Sequence, residues 1–171
     1  MLGNLKGLLV TLKGLLSKPV TVQYPDEHLP LSRRYKGFPG LTWDEDIGEP
    51  YCTACMVCIR YCPTQCMYAT GKDNPLHQEG KSHRKRVVET FAIDMAHCIL
   101  CAICVEVCHF DAITMTNTHE IGAYDRRGMV VDLPGLLEMG KEAQRSGKWT
   151  PPPKKEAKAK TPEKAHEEVS R

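Results

Sequence analysis

Leucines recur at close to helical spacing in the first 17 residues, with Lys6 and Lys13 set among them. Pro19 cannot continue such a pattern, so we predict an amphipathic helix over residues 1–17. Residues 18–50 are rich in proline, glycine and charge and show no apolar period. This composition leaves the segment little core of its own, and we predict an extended arm that wraps over another surface.

A second pattern is an internal repeat within residues 51–116, which hold all nine cysteines of the chain. A shift of 46 positions places the cysteines of one half on those of the other: Cys52, Cys55, Cys58 and Cys62 fall on Cys98, Cys101, Cys104 and Cys108. The two halves are therefore predicted to share one local structure and to be related by an approximate two-fold axis.

β-Branched and aromatic residues between the two cysteine runs predict a strand over residues 87–94. Residues 67–70 are predicted to pair with it, because the polar, turn-rich residues 71–86 can form a long hairpin connection. Residues 112–115 are the equivalent strand of the second half. The predicted fold class is α+β, with a cysteine loop, a short helical turn and a strand in each half.

Two further segments follow the repeat. Residues 117–148 contain one apolar patch, around residues 129–139, and are predicted to be a C-terminal docking segment. Residues 149–171 are rich in proline, lysine, glutamate and alanine. Such a segment cannot bury enough apolar surface to offset the entropy of ordering, so a disordered tail is predicted there.

Composition argues against several classes of function. The formal net charge is +2, and residues 151–171 account for it with six Lys or Arg against four Asp or Glu. The rest of the chain is neutral, so no nucleic-acid partner is predicted. No stretch reaches the roughly 20 apolar residues of a transmembrane helix. Phosphate-cradling glycine loops, dinucleotide fingerprints and nucleophile motifs are also missing from the sequence, and no catalytic residue is predicted.

The number and grouping of the cysteines indicate metal binding. An odd count of nine argues against a pure disulfide framework, and no secretory signal is visible in the leucine-rich first segment. Clustered cysteines in a reducing compartment are typical of metal sites.

Each half of the repeat has the spacing C-x2-C-x2-C-x3-C. Three thiolates so spaced can take three corners of an iron–sulfur cube, and in two-cluster ferredoxins the fourth cysteine ligates the other cluster. Carried over to this chain, that rule predicts two 4Fe-4S clusters. The first takes Cys52, Cys55, Cys58 and Cys108, and the second takes Cys98, Cys101, Cys104 and Cys62. Structural zinc is the alternative, but a zinc site uses only four ligands from two short motifs.

Three features beside the cysteine runs each have two interpretations. Cys66, whose repeat partner is Ala112, is predicted to be a small buried residue behind the first cluster, or else a redox or ligand residue. His109 stands where Pro63 stands in the first half, and is predicted to be a solvated neighbour or else to tune a cluster. The basic residues 81–86 form either a solvated loop tip or a surface that docks onto an acidic partner.

With these residues in view, the chain resembles the two-cluster, ferredoxin-like subunit I of the proton-pumping NADH:quinone oxidoreductase, respiratory complex I. One part of the resemblance is the repeated cysteine run with Pro63, and another is FAID at residues 91–94. The arm is the most specific part: it reads KPVTVQYP over residues 18–25 and RRYKG over residues 33–37. His109 departs from the family, which usually has proline after both fourth cysteines.

The resemblance implies a bacterial-type two-cluster ferredoxin fold and a relay of single electrons between other iron–sulfur subunits on the way to quinone. It also implies a peripheral location on the cytoplasmic face of a bacterial plasma membrane. Residues 1–17 would then lie on the membrane surface or against a partner subunit, with the arm near the membrane subunits. The alternatives are a free soluble ferredoxin, the equivalent subunit of a membrane-bound hydrogenase or ferredoxin-dependent photosynthetic complex, and a zinc-stabilised module.

Overall fold

The computed structural model describes residues 2–32, 34–125 and 127–151, and the chain divides into two units, Met1–Ser32 and Arg33–Arg171. The first unit begins with helix α1 (Leu2–Leu15) and continues without further regular structure among its described residues. The apolar side chains of α1 from Leu5 onwards are exposed, Leu8 to 69% and Val10 to 71%. Within the described part of the chain, no helix is both long enough and apolar enough to cross a bilayer.

The second unit mixes short strands and helices, in agreement with the predicted α+β class. Its strands are β1 (Pro39–Leu41), β2 (Trp43–Asp44), β3 (Glu49–Pro50), β4 (Met67–Asp73), β5 (Arg86–Asp94), β6 (Ile113–Met115) and β7 (Val130–Val131). Its helices are α2 (Val57–Arg60), α3 (Pro75–Gln78), α4 (Ile103–Glu106) and α5 (Leu133–Arg145).

Strands β4 and β5 form the antiparallel hairpin predicted from the sequence, with Met67 opposite Ile93. The register shifts between Thr70 and Gly71, and helix α3 fills part of the connection. Strand β5 lies in the middle of this sheet because β7 pairs with its other edge. Its apolar side chains form the centre of the core, with Ile93 fully buried and Phe91 nearly so.

The predicted strand of the second half, β6, is present, and its partner comes from the segment predicted to be an arm. Strand β1 pairs with β6, so that Leu41 lies opposite Ile113, and Leu41 is 1% exposed. The segment predicted to be an arm therefore supplies strands to the second unit, Arg33–Arg171, which is the body of the protein. The apolar residues of β1 are too few and too close to prolines and glycines to show a strand period.

The strand pairing follows the approximate two-fold symmetry of the repeat. Apart from the short β2–β3 hairpin, one strand precedes each cysteine run and one follows it, β1 and β4 for the first run and β5 and β6 for the second. The strand before each run pairs with the strand after the other run: β1 with β6, and β5 with β4. The two halves are therefore joined by both of these strand pairs.

Helix α5 covers the β1–β6 pair and is part of the body. Its first turn is capped by Asp132, whose carboxylate accepts a hydrogen bond from the Gly135 N–H. Gly140 of the helix lies directly on β1, where a methyl group would collide with the carbonyl of Leu41. The sequence predicts that residues 117–148 dock on a partner. Helix α5 lies within this segment but packs against its own chain, with Leu136 completely buried.

A buried polar network joins β2 and β3 to the connection between β4 and β5. Arg84 donates to Glu49 at 2.6 Å and to Asp44 at 2.8 Å, and all three side chains are at least nine-tenths buried. Ser82 and Asn74 also donate to the Glu49 carboxylate, at 2.5 and 2.7 Å. Burial opposes ionisation of Glu49, but these hydrogen bonds outweigh it and lower its pKa. The buried charge is thus paired and fully hydrogen-bonded.

This network corrects the prediction for the basic run at residues 81–86. Lys81, His83, Lys85 and Arg86 are exposed, as a solvated loop tip requires, but Ser82 and Arg84 are buried. The sequence offered no sign of this, because the acidic partners of Arg84 lie far upstream. Two residues of the run therefore hold the fold together and cannot contribute to a docking surface.

The end of the described chain is held against the body. Lys148 Nζ donates to the Tyr35 carbonyl oxygen and, at 2.8 Å, to that of Thr116. Trp149, the first residue of the predicted disordered tail, donates from its indole to the Asp111 carbonyl oxygen at 3.0 Å. That residue is packed rather than free. Residues 152–171 of the predicted tail lie outside the described residues.

The contact between α5 and β1 predicts the effect of a single methyl group. Gly140→Ala should lower the midpoint of anaerobic thermal unfolding by about 4 °C or more, because overpacking at a backbone contact costs about 1–3 kcal/mol. Gly122→Ala is the matched control, since nothing lies within 4 Å of the added methyl group. An unchanged midpoint for Gly140→Ala would contradict the close contact between helix and strand.

Candidate metal centres

The cysteine loops take their shape from backbone conformations that repeat in both halves. Ala54 and Met56 have φ values of 53° and 62°, and Leu100 and Ala102 have 54° and 65°. Such left-handed values are rare for residues with a side chain and are typical of loops whose peptide N–H groups point at a bound group. Each loop leads into a one-turn helix, α2 or α4, which carries the third cysteine of its run.

The first cavity lies where the first cysteine run meets the end of the second. Its volume is about 410 Å³, and apolar side chains from the strands, including Phe91 and Ile113, form much of its wall. Four cysteines line it: Cys52, Cys55, Cys58 and Cys108. These are the four residues that the ferredoxin rule assigns to the first cluster.

The second cavity has a volume of about 330 Å³ and lies where the second run meets the end of the first. Pro39 and Met115, a facing pair on β1 and β6, contribute to its wall. Five cysteines line it: Cys62, Cys66, Cys98, Cys101 and Cys104. Four of them are the residues predicted for the second cluster, and Cys66 is an addition.

One thiol of each cavity is exposed at the surface. Cys55 of the first cavity and Cys101 of the second are exposed, and they occupy equivalent positions in the repeat. Cys52 and Cys104 are buried, and the remaining cysteines predicted as ligands are half-buried. A group bound in either cavity would therefore be shielded by protein on most sides and approach solvent at its second cysteine.

Burial changes the acidity of the inner thiols. It raises the pKa of Cys52 to about 12, that of Cys104 to about 12 and that of Cys58 to about 11. Thiols with these pKa values stay protonated at neutral pH when nothing is bound. A metal that binds them must displace their protons, so loading of the cavities releases protons to solvent.

Cys66 is buried, as predicted, but it lies at the second cavity rather than behind the first. The Sγ of Cys66 is 3.7 Å from the Sγ of Cys62, and the Thr64 hydroxyl oxygen is 3.5 Å from the Sγ of Cys62. Burial and the neighbouring Cys62 raise the pKa of Cys66 to about 11. The pKa of Cys62 is lowered: burial opposes this, but hydrogen bonds from Thr64 and Cys66 favour its thiolate.

The arrangement of the thiols suits a cluster of several atoms better than one ion. A zinc ion needs four ligand atoms at about 2.0–2.3 Å from a common point. Among residues 2–32, 34–125 and 127–151, no three His, Cys, Asp or Glu side chains converge in this way. Instead four thiols line the first cavity and five line the second, and the other walls of both cavities are mainly apolar. Two 4Fe-4S cubes fit this donor set, because each takes one thiolate at each of four corners.

Several wall residues were missed by reasoning from the cysteine runs alone. Phe110 and Leu41 line the first cavity, and Pro39 and Met115 line the second. Leu41, Pro39 and Met115 come from strands, and only the strand pairing brings them to the cavities. Phe110 stands in the turn after the second run. The equivalence of Phe110 with Thr64 in the repeat was a signal that could have identified one of them. His109 is exposed and lines neither cavity.

Comparison with known proteins agrees with this donor set. Residues 51–112 match the 4Fe-4S dicluster domain family. The NADH-quinone oxidoreductase subunit I 2 of Streptomyces coelicolor is 37% identical over 139 residues, covering 80% of this chain and 68% of that protein. The protein of the same name in Geobacter metallireducens is 34% identical, and the matched region covers 78% of this chain and 95% of that protein.

Two further matches cover most of this chain. The NAD(P)H-quinone oxidoreductase subunit I of Gloeobacter violaceus is 33% identical over 127 residues, covering 74% of this chain and 55% of that protein. A chain from the solved structure of the membrane-bound sulfane sulfur reductase, described as an archaeal respiratory membrane complex, has 23% identity and a TM-score of 0.46. That alignment covers 80% of this chain and 65% of the other, and its score is too low to support a conclusion.

Proposed function

Because this chain belongs to the subunit I family of the NADH-quinone oxidoreductases, we propose that it relays single electrons between neighbouring iron–sulfur subunits on the way to quinone. The chain is an electron-transfer subunit, and its cofactors are two 4Fe-4S clusters. The observation that carries the proposal is the pair of apolar-walled cavities, each lined by three thiols of one cysteine run and the fourth thiol of the other, with one thiol of each cavity at the surface.

We assign the ligands according to the cavities that the cysteines line. Cluster 1 is held by Cys52, Cys55, Cys58 and Cys108, and cluster 2 by Cys98, Cys101, Cys104 and Cys62. Two observations support this exchange of the fourth cysteine between the halves. The fourth cysteine of each run lines the cavity formed by the other run, and both strand pairs of the repeat cross between the halves.

The bound clusters supply one-electron chemistry, and the chain's own residues govern how it is used. Apolar walls that include Phe91, Phe110 and Met115 keep water away from the cluster faces, which is one of the factors that set reduction potential. The thiols of Cys55 and Cys101 are exposed, so a bound cluster would come nearest to a partner protein at these two residues. Electrons would enter and leave the chain at these two positions.

The chain contributes a relay, and the catalytic work belongs to other subunits. We propose that oxidation of NADH, reduction of quinone and proton translocation occur in the complete oxidoreductase, as the names of the relatives and the family resemblance suggest. The direct partners are then other iron–sulfur subunits and the membrane subunits of the complex. The proposed location is peripheral, on the cytoplasmic face of a bacterial plasma membrane.

Helix α1 supports a contact with the membrane surface. At about 100° per residue, its leucines fall within one arc of about 140°, while its three glycines lie on the opposite side. Lys6 and Lys13 stand at one border of the leucine arc, where their ammonium groups can reach lipid headgroups. All the leucines of this arc from Leu5 onwards are exposed, Leu15 and Leu16 to 81% and 77%.

Metal analysis tests the cofactors directly. Anaerobically prepared protein should contain about eight iron and eight sulfide per chain, and reduction with dithionite should give EPR signals from two clusters. Zinc without sulfide, and no EPR signal, would contradict the electron-transfer function. Iron and sulfide at about half that level would contradict the presence of two clusters of this type.

Paired substitutions test the exchange of the fourth cysteine. In a Cys66→Ala background, which removes the nearest substitute thiol, Cys62→Ser should reduce the iron content to about four per chain. Adding Cys101→Ser should remove no further iron, because both residues hold cluster 2. Adding Cys55→Ser instead should remove nearly all the iron. The reverse pattern would show that each run binds its own cluster.

Charge substitutions on α1 test the membrane contact with a matched control. Leu5→Glu with Leu12→Glu should reduce binding of the cluster-loaded chain to phosphatidylglycerol vesicles about tenfold or more. The reason is that two leucines that would be buried in the membrane surface are lost. Gly7→Glu with Gly14→Glu introduces the same charges at the same spacing on the opposite side, where there is open space. That variant should bind at least several-fold more tightly than the leucine variant. Failure of the unaltered chain to bind vesicles would favour a protein partner for the helix.

A further inference from the structure

The repeat allows the two metal centres to be compared position by position. Cys62 and Cys108 are equivalent, and each is followed at the same distance by a left-handed residue, Gln65 or Asp111, with φ of 50° in both cases. The backbone around the two fourth cysteines therefore has the same shape. Differences between them come from side chains.

Among the residues that the structure describes, no side chain donates a hydrogen bond to the Cys108 sulfur. The Ala112 N–H donates to Cys108 Sγ at 3.3 Å, which is a backbone contact. The repeat equivalents of Thr64 and Cys66 are Phe110 and Ala112, and neither side chain has a polar hydrogen. Phe110 instead forms part of the apolar wall of the first cavity.

At Cys62 the equivalent positions hold two hydrogen-bonding side chains. The Thr64 hydroxyl oxygen lies 3.5 Å from Cys62 Sγ, and Cys66 Sγ lies 3.7 Å from it. Both distances are within the range of hydrogen bonds to sulfur. Cys66 is 3% exposed, so water does not compete for its proton, whereas Thr64 is at the surface.

The direction of these hydrogen bonds follows from the chemistry of a ligated thiolate. A Cys62 sulfur that is bonded to iron carries no proton and can only accept. The Thr64 hydroxyl and the Cys66 thiol must then both donate to it. Hydrogen bonds to the sulfurs of a cluster stabilise negative charge there, and reduction adds one negative charge. Such donors therefore favour the reduced state of the cluster.

We infer that Thr64 and Cys66 raise the reduction potential of cluster 2 above that of cluster 1, so that a single electron on this chain resides mainly on cluster 2. The inference rests on the proposed function, because it needs Cys62 to be a ligand of cluster 2. The downhill order through the chain then runs from the first cavity, with its exposed Cys55, to the second cavity, with its exposed Cys101. Thr64 and Cys66 are positioning residues that act through the sulfur of Cys62.

EPR-monitored redox titration of the full-length, cluster-loaded chain tests the inference, with midpoint potentials rather than activity as the readout. The unaltered chain should show two distinct potentials. Thr64→Val with Cys66→Ala should lower the higher potential and leave the lower one in place. The expected change is about tenfold in the equilibrium constant for sharing one electron, equivalent to about 59 mV.

The repeat supplies the reciprocal variant. Phe110→Thr with Ala112→Cys places the same two donors beside Cys108. It should raise the lower potential and so reduce the difference between the two midpoint potentials. Thr64→Ser with Cys66→Ser retains both donors and should preserve the potentials of the unaltered chain. These variants leave His109 and the exposed charges near both centres unchanged. Phe110→Val removes the same ring from the wall of the first cavity without adding a donor, so the difference between it and the reciprocal variant reports on the donors.

The outcomes separate this inference from the function on which it rests. Two EPR signals with potentials that neither double variant moves would overturn the inference and leave the electron relay intact. If Thr64→Val with Cys66→Ala loses a cluster, the reciprocal variant decides: a potential raised above that of Phe110→Val supports the inference, and an equal one overturns it. Absence of clusters from the unaltered chain would overturn both.

Discussion

The exchange of one thiol between the two halves of the repeat is the constraint on which the rest of this structure depends. Each cavity takes three cysteines from one run and the fourth from the other, so neither centre is complete unless both halves are folded together. The strands follow the same rule, since β1 pairs with β6 and β5 with β4. Because thiols with pKa values near 11–12 give up their protons only to a bound metal, cluster binding and association of the halves are coupled.

The elements outside the repeat support this core where it would otherwise be open. Helix α5 covers the β1–β6 pair and can approach it closely because Gly140 has no side chain. The charged network around Arg84 fixes the connection between β4 and β5 to the hairpin that precedes the first run. Removing one partner of such a network would leave a buried charge unpaired, which costs several kcal/mol. Residues with no part in binding clusters therefore hold the cysteine loops in place.

A symmetric backbone does not make two identical centres. The φ angles of the cysteine loops agree closely between the halves, yet Thr64 and Cys66 face Cys62 where Phe110 and Ala112 follow Cys108. The duplicated backbone geometry provides two equivalent sites, and the side chains next to the fourth cysteine distinguish them. An electron relay benefits from this separation, because the order of the two potentials determines where the electron resides.

The sequence by itself determined the cofactor, the repeat and the β4–β5 hairpin, and it predicted which cysteines belong together at each centre. Those features depend on the short spacings between cysteines and on runs of β-branched residues, which can be recognised in a short stretch of sequence. Only the tertiary structure decided that β1 belongs to the body, that Arg84 is buried and that Cys66 lies beside Cys62. Each of these depends on contacts between residues distant in the chain, or on the direction in which a loop turns. The composition and hydrophobic period of a segment do not predict such contacts, because they describe the segment itself and not the residues against which it packs.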